Sequence, residues 1–159
     1  MCVSGSKTRE EDKMGQIRVT VEAMSVEGKE SFPVDTSFWE DLWDHFTNDL
    51  EEVVIHCLNE EMDPCEEVNQ IAYQTINEYM HNELTVMLNE ENRLFLRNSS
   101  VDPVVGGLKW NRMLFYKDGK VYLEINQYGS EIIFYHAEEN MIEQVEFILP
   151  ITTEVEYIS

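Results

Sequence analysis

The strongest constraint on the fold is an Asp118-Gly119 pair that separates two runs of alternating apolar and polar residues, 109–117 and 120–127. Asp-Gly is the preferred chemistry of a tight hairpin turn. Three more apolar runs follow, at 131–137, 142–149 and 151–158, separated by polar residues and by Pro150. Short strands at this spacing predict an antiparallel meander.

The first 15 residues are polar, mixed in sign and without periodicity, which predicts a flexible tail and places the start of one domain at residue 16. We expect that domain to cover residues 16–159, with Met14 as an alternative start of the native product. Ile17, Val19 and Val21 alternate with polar residues and predict a half-buried strand. An apolar share of 43% and an aromatic share of 11% are those of a folded protein.

The segment that follows has helical periodicity. Ser37 and Glu40 match a capping box, and apolar residues recur at steps of three and four as far as Leu58. This predicts a first helix over 37–61. Asp63-Pro64 is a typical helix start and predicts a second helix over 63–82. Because almost nothing joins the two helices, they are expected to form an antiparallel hairpin.

Residues 84–88 and 94–96 then alternate, which predicts a β-hairpin, although the second helix extending to about residue 88 is an alternative. The predicted fold class is therefore α+β. The single domain would have an antiparallel β-sheet meander of about five or more strands, with the helical hairpin packed on one face.

Charge is distributed very unevenly. Residues 30–92 contain 17 of the chain's 32 acidic residues and no lysine or arginine, and the formal net charge is −21. Such one-sided charge opposes folding through self-repulsion, so it predicts an electropositive partner. It also argues against direct binding to nucleic acid or to an anionic membrane.

The two predicted helices would hold 12 acidic residues along roughly 37 Å, or about one charge per 3 Å, compared with about one per 1.7 Å in duplex DNA. One interpretation is a surface that imitates phosphates or docks on a basic protein; the other is an ordinary solvated helix face. The first predicts these partner-binding residues: Glu40, Asp41, Asp44, Asp49, Glu51, Glu52, Glu60, Glu61, Asp63, Glu66 and Glu67.

No motif in the chain specifies a reaction. A nucleophile elbow, a phosphate-binding glycine loop and a calcium-loop pattern are all absent. Glu78 and His81 have the spacing of half a di-iron motif but lack a second pair, and His56 and Cys57 match no zinc spacing. The sequence therefore predicts a protein that is not an enzyme, without cofactor or metal, in which Cys57 is a core residue and the histidines lie on the surface.

Two further groups have a structural and a functional interpretation. Phe38, Trp39, Trp43 and Phe46 form an aromatic stripe, which we assign to the core, with one of the adjacent Phe38 and Trp39 pointing outward. The basic residues of 93–120 either neutralise nearby acids or contact a second copy of the chain, which would make a homodimer. This set, called the basic island, is Arg93, Arg97, Lys109, Arg112, Lys117 and Lys120.

The leading hypothesis is a cytoplasmic inhibitor that occupies the basic surface of a nucleic-acid-binding protein, in the manner of the DNA mimics that phages use against restriction or CRISPR systems. The sparse, odd set of three cysteines favours a reducing compartment. An immunity protein or antitoxin that neutralises a basic nuclease toxin is the alternative. A carboxylate-based metal-binding protein is a further alternative.

Overall fold

A computed structural model describes residues 14–25, 31–33, 35–59, 62–103 and 106–159. The strands in these ranges are β1 (Gly15–Thr20), β2 (Ala23–Ser25), β3 (Ser31–Pro33), β4 (Glu52–Leu58), β5 (Gln74–Asn77), β6 (His81–Met87), β7 (Arg112–Lys117), β8 (Lys120–Asn126), β9 (Glu131–Ala137) and β10 (Glu154–Ile158). The helices are α1 (Trp39–Phe46), α2 (Met62–Asn69), α3 (Glu90–Ser99) and α4 (Met141–Ile148), and Gln127–Gly129 forms a 3-10 turn.

Eight of these strands form one antiparallel sheet in the order β10-β1-β9-β8-β7-β4-β6-β5, and β2 and β3 form a separate pair. The chain is an α+β domain with a large antiparallel sheet, as the sequence predicts. Most of the predicted tail, residues 1–13, lies outside the described residues.

The predicted turn is confirmed. Asp118 and Gly119 have φ angles of 51° and 76° and connect β7 to β8, with Lys117 opposite Lys120. β1 and β9 lie where the alternation places strands, and β10 lies within the predicted run 151–158. Local turn chemistry and period-two alternation were sufficient for these elements.

The helical hairpin is not confirmed, and its two predicted helices are wrong in extent. The first prediction covered 37–61, but α1 has eight residues and residues 52–58 form β4, which lies between β6 and β7. The run Val53-Val54-Ile55 is β-branched, which favours an extended backbone. The second prediction covered 63–82, but α2 ends at Asn69 and the chain continues into β5 and β6.

Two predicted strands are helices instead. Residues 90–99 form α3, where the Asn89 side chain accepts a hydrogen bond from the Asn92 N–H at 2.8 Å and so caps the helix start. Residues 141–148 form α4, whose buried residue is Val145. The predicted capping box is also wrong, since the Ser37 N–H donates to Asp35 Oδ1 at 2.8 Å and the Ser37 side chain does not cap α1.

One hydrophobic core lies between the helices and one face of the sheet, here called the covered face. Trp43 contacts Phe115 on β7 with ring centroids 5.7 Å apart, and Phe46 contacts Phe134 on β9 at 4.8 Å. The aromatic stripe is thus a core feature, as predicted. Phe38 and Trp39 are both buried, so the expectation that one points outward is wrong.

The other face of the sheet, here called the open face, carries residues from the alternate positions of the same strands. The paired registers put His56, Arg112 and Glu124 on this face, between core residues that point to the helices. Cys57, beside His56, is buried in the core, in agreement with its predicted role.

Candidate functional site

The predicted acidic residues of α1 face solvent and contact α3. Arg97 donates hydrogen bonds from Nε and Nη2 to the two carboxylate oxygens of Asp44, at 2.8 and 2.9 Å, and from Nη1 to Glu40 at 2.9 Å. The pKa of Asp44 is lowered, chiefly by the hydrogen bond from Arg97. Asp41 is exposed on the same helix and has no ion pair among the described residues.

Asp49, Glu51 and Glu52 lie where the chain enters β4, and they line one cleft together with Arg93. Lys117 forms an ion pair with Asp49, with Nζ 3.2 Å from Oδ2. The cleft is therefore a mixed surface in which basic groups partly offset the three carboxylates.

Arg93 also holds this part of the chain in place. Its guanidinium donates to the carbonyl oxygens of Leu88 at 2.8 Å and Thr47 at 2.7 Å, and to that of Leu50. Burial lowers the pKa of Arg93, and the nearby Asp49 partly offsets this effect. Arg93 is thus a structural residue that positions the loop between α1 and β4.

The remaining predicted residues lie on or before α2. Glu66 is exposed, while Glu67 forms an ion pair with Lys109 at 3.2 Å. Asp63 lies in the first turn of α2, and Glu60 and Glu61 lie outside the described residues. Since residues 52–58 are a strand, the 12 acids predicted along two neighbouring helices do not form one continuous helical surface.

The contacts of the basic island agree with the neutralising interpretation. Arg97, Lys109, Arg112 and Lys117 each form an ion pair with a carboxylate of the same chain, and Arg93 bonds to carbonyls. The island has six basic residues, whereas residues 30–92 contain 17 acidic residues. Among the described residues, most acids of 30–92 therefore have no ion pair with a lysine or arginine.

A buried polar network occupies the centre of the open face, and sequence reasoning missed it. Glu124 is only 7% exposed and accepts hydrogen bonds from Tyr135 at 2.6 Å, from Arg112 at 2.8 Å and from Asn126 at 2.9 Å. Burial alone would raise the pKa of Glu124, but these three donors outweigh it and lower the pKa. Burial and the adjacent carboxylate together raise the pKa of Tyr135 to about 12.

A second polar group lies beside this network, on β4 and β6. His56 is opposite Glu83 in the strand pairing, and His81 is two residues before Glu83 on the same face. The Nε2 atoms of His56 and His81 lie 3.5 and 3.4 Å from Glu83 Oε1. The prediction of surface histidines is wrong for His56, which is 9% exposed and whose pKa is lowered, chiefly by burial.

This group, called the His-Glu cluster, joins residues 27 positions apart in sequence. The only local signal is His81-x-Glu83, because residues two apart on a strand share a face. The sequence predicts a helix over 63–82, where the same spacing points the two side chains in different directions, so this signal is obscured.

No protein-family model, curated protein or solved structure matches the chain. Among the described helices, none is long and apolar enough to cross a membrane, and the longest, α3, has ten residues. Function is therefore inferred from the geometry and charge of the chain itself.

Proposed function

We propose that this chain is a cytoplasmic binding protein, without catalytic activity, that inhibits a basic nucleic-acid-binding protein by occupying its electropositive surface. The observation that carries the proposal is that most residues of the basic island are already engaged within the chain. Five of the six residues of the basic island contact groups of the same chain, while residues 30–92 supply 17 acids. The negative surplus remains available to an outside partner.

The proposed contact surface is the outer side of the helix layer. Asp41 on α1 and Glu66 on α2 are exposed and have no ion pair among the described residues. On the same two helices Glu40 and Asp44 pair with Arg97, and Glu67 pairs with Lys109. Because α1 has eight residues, it spans only about 12 Å. The proposed surface, called the acidic patch, is therefore formed by two short helices, which are too short for an extended phosphate-like row.

Inhibition would follow from steric occupation of a positively charged groove. Attraction between opposite charges accelerates association and weakens as salt rises, because the screening length falls to about 8 Å at physiological ionic strength. A partner that normally binds phosphates would be unable to bind nucleic acid at the same time.

A matched pair of double variants tests this surface. Asp41→Lys with Glu66→Lys changes the proposed patch, and Glu143→Lys with Glu146→Lys makes the same change in net charge on α4, where both residues are exposed. We expect the first variant to bind at least about tenfold more weakly, or about 1.4 kcal/mol. The affinity of the α4 variant for the partner should fall much less.

The partner is first captured from host lysate at low salt, and affinity is then measured by titration with the purified partner. Competition with duplex DNA or RNA for that partner provides the second measurement. Equal loss in both variants would mean that only net charge matters, and undiminished affinity in the patch variant would contradict the proposed surface.

The same electrostatics suit an immunity protein or antitoxin, which differs only in its target. Capture of a nuclease whose toxicity the chain abolishes would favour that alternative, whereas capture of a restriction or CRISPR component would favour counter-defence. Sedimentation of the isolated chain would show whether a second copy is also a partner.

A further inference from the structure

The His-Glu cluster is built on the most regular part of the sheet. β4 and β6 pair without interruption over seven positions, from Glu52 opposite Met87 to Leu58 opposite His81. β4 is also paired on its other side with β7. The backbone that carries the three side chains is therefore held on both sides at His56 and held between β4 and β5 at Glu83.

We infer that His56, His81 and Glu83 form a binding site for one transition-metal ion, with Zn²⁺ as the best fit. Each residue offers one ligand atom, and these atoms lie within 4.8 Å of one another. This inference is independent of the partner-binding proposal, because the site lies on the open face of the sheet and the acidic patch lies on the helix layer.

The distances fit a tetrahedral ion. Bonds of about 2.0–2.2 Å from zinc to nitrogen and oxygen place two ligands of a tetrahedral site roughly 3.3–3.5 Å apart. The two histidine Nε2 atoms lie 3.5 and 3.4 Å from Glu83 Oε1. Two of the three distances between ligand atoms therefore already match those of a tetrahedral metal site.

The donor set selects the class of ion. Two imidazoles and one carboxylate suit zinc and its first-row neighbours, whereas Mg²⁺ and Ca²⁺ prefer all-oxygen sites. His56 closes the site on the protein side, with 11% of its side chain exposed, while His81 and Glu83 are about one-third exposed. Three protein ligands and one solvent-facing position result, and water would complete the coordination.

Arg112 is a cation beside the site, and its charge is partly offset by Glu124. Arg112 is opposite His56 on β7, but its Nη2 donates to Glu124 Oε2 at 2.8 Å, on the side away from β6. The net charge of −21 attracts cations to the whole molecule.

One rearrangement is required. The rings of His56 and His81 are stacked, with centroids 4.7 Å apart and planes within 12° of parallel. A lone pair lies in the plane of its imidazole ring, so both rings cannot aim at one ion without turning. His81, the more exposed of the two, is the ring expected to turn, and metal binding should therefore break the stack.

The test is a titration of the untagged full chain with zinc chloride, with excess Mg²⁺ present to occupy unspecific carboxylates. We expect one Zn²⁺ per chain. His81→Ala and Glu83→Gln should each weaken binding at least about tenfold, with circular dichroism as the check on folding. His45→Ala, which removes an exposed histidine on α1, is the matched control and should bind like the wild type.

Substitution with Co²⁺ gives a second readout. A four-coordinate visible spectrum without a thiolate charge-transfer band would support two imidazoles and a carboxylate. A thiolate band would assign the ion to cysteine and overturn the inference. Absence of stoichiometric binding, or equal affinity of the His81→Ala and His45→Ala variants, would also overturn it.

Discussion

The two faces of the eight-stranded sheet use the same strands for opposite purposes. On β4, β7 and β8 the covered face presents Ile55, Met113 and Ile125, each at most 1% exposed, to the helices. The alternate positions of those strands present His56, Arg112 and Glu124 on the open face. Arg112 bonds to Glu124, and His56 lies 3.5 Å from Glu83 on β6. The apolar side chains that these strands bury lie on the covered face, and these polar side chains lie on the open face.

This division follows from the side-chain period of a strand. Because successive side chains point to opposite faces, one strand can serve a dry core and a polar network at once. The polar face tolerates the buried Glu124 because three donors satisfy its carboxylate, and a buried carboxylate without donors is costly. Among the described residues, Arg112 Nε is buried there without a hydrogen-bond partner. The difference between the faces can be measured by changing neighbours on a single strand.

The largest effect is expected from Phe115 on the covered face. Phe115→Ala removes a fully buried ring that packs against Trp43, and should lower the free energy of unfolding by about 3–5 kcal/mol. Leu114→Ala changes the adjacent, half-buried residue on the open face and should cost about 1–2 kcal/mol. Urea denaturation of both variants measures the difference, and equal losses would contradict the division.

An intermediate effect is expected from Glu124. Glu124→Gln keeps the shape but removes the charge that three donors share, and should cost about 1–3 kcal/mol near neutral pH. Asp44→Asn breaks a comparable carboxylate–arginine pair on the exposed side of α1 and should cost less than about 1 kcal/mol. Similar losses for the two variants would show that burial does not strengthen the open-face network.

The same variant has an expected pH dependence. The pKa of Glu124 in the folded protein is lowered from its usual 4.5. The stability that this carboxylate contributes is therefore present above pH 4.5 and is lost as the pH falls through its folded pKa. The difference between wild type and Glu124→Gln should shrink over that range.

The smallest effect is expected at alkaline pH. Because the pKa of Tyr135 is raised from 10.0 to about 12, its contribution to stability is present below pH 10 and is lost as the pH rises towards about 12. Tyr135→Phe should reduce this alkaline loss by an amount on the order of 1 kcal/mol. Tyr116→Phe, the same change elsewhere in the sheet, is the control, and an unchanged slope in the Tyr135 variant would count against the network.

Sequence reasoning succeeded where structure is set locally. Asp118-Gly119 specifies its turn through backbone conformation, and the alternation of β1, β9 and β10 is visible in short windows. It failed at residues 52–58, 90–99 and 141–148, where short apolar runs fit either period. Pairing with β6 and β7 makes residues 52–58 a strand, and the Asn89 cap favours a helix at residues 90–99.

The candidate sites also combine features that are visible in the sequence with features that depend on distant contacts. The acidic residues are visible in sequence, but their neutralising partners are distant, since Arg97 is 53 positions from Asp44. The His-Glu cluster depends on the register of β4 with β6, which no local pattern encodes. Register can be inferred only after both segments are recognised as strands.

The two outermost strands of the main sheet differ in their protection against unwanted pairing with other chains. β10 places Glu154 and Glu156 on its exposed positions, and like charges discourage a second chain from adding to that edge. β5 is uncharged and leaves Ile76 exposed, but it is only four residues long, which limits what can pair with it. Part of the acidic surplus thus guards against aggregation, whatever the partner of the acidic patch is.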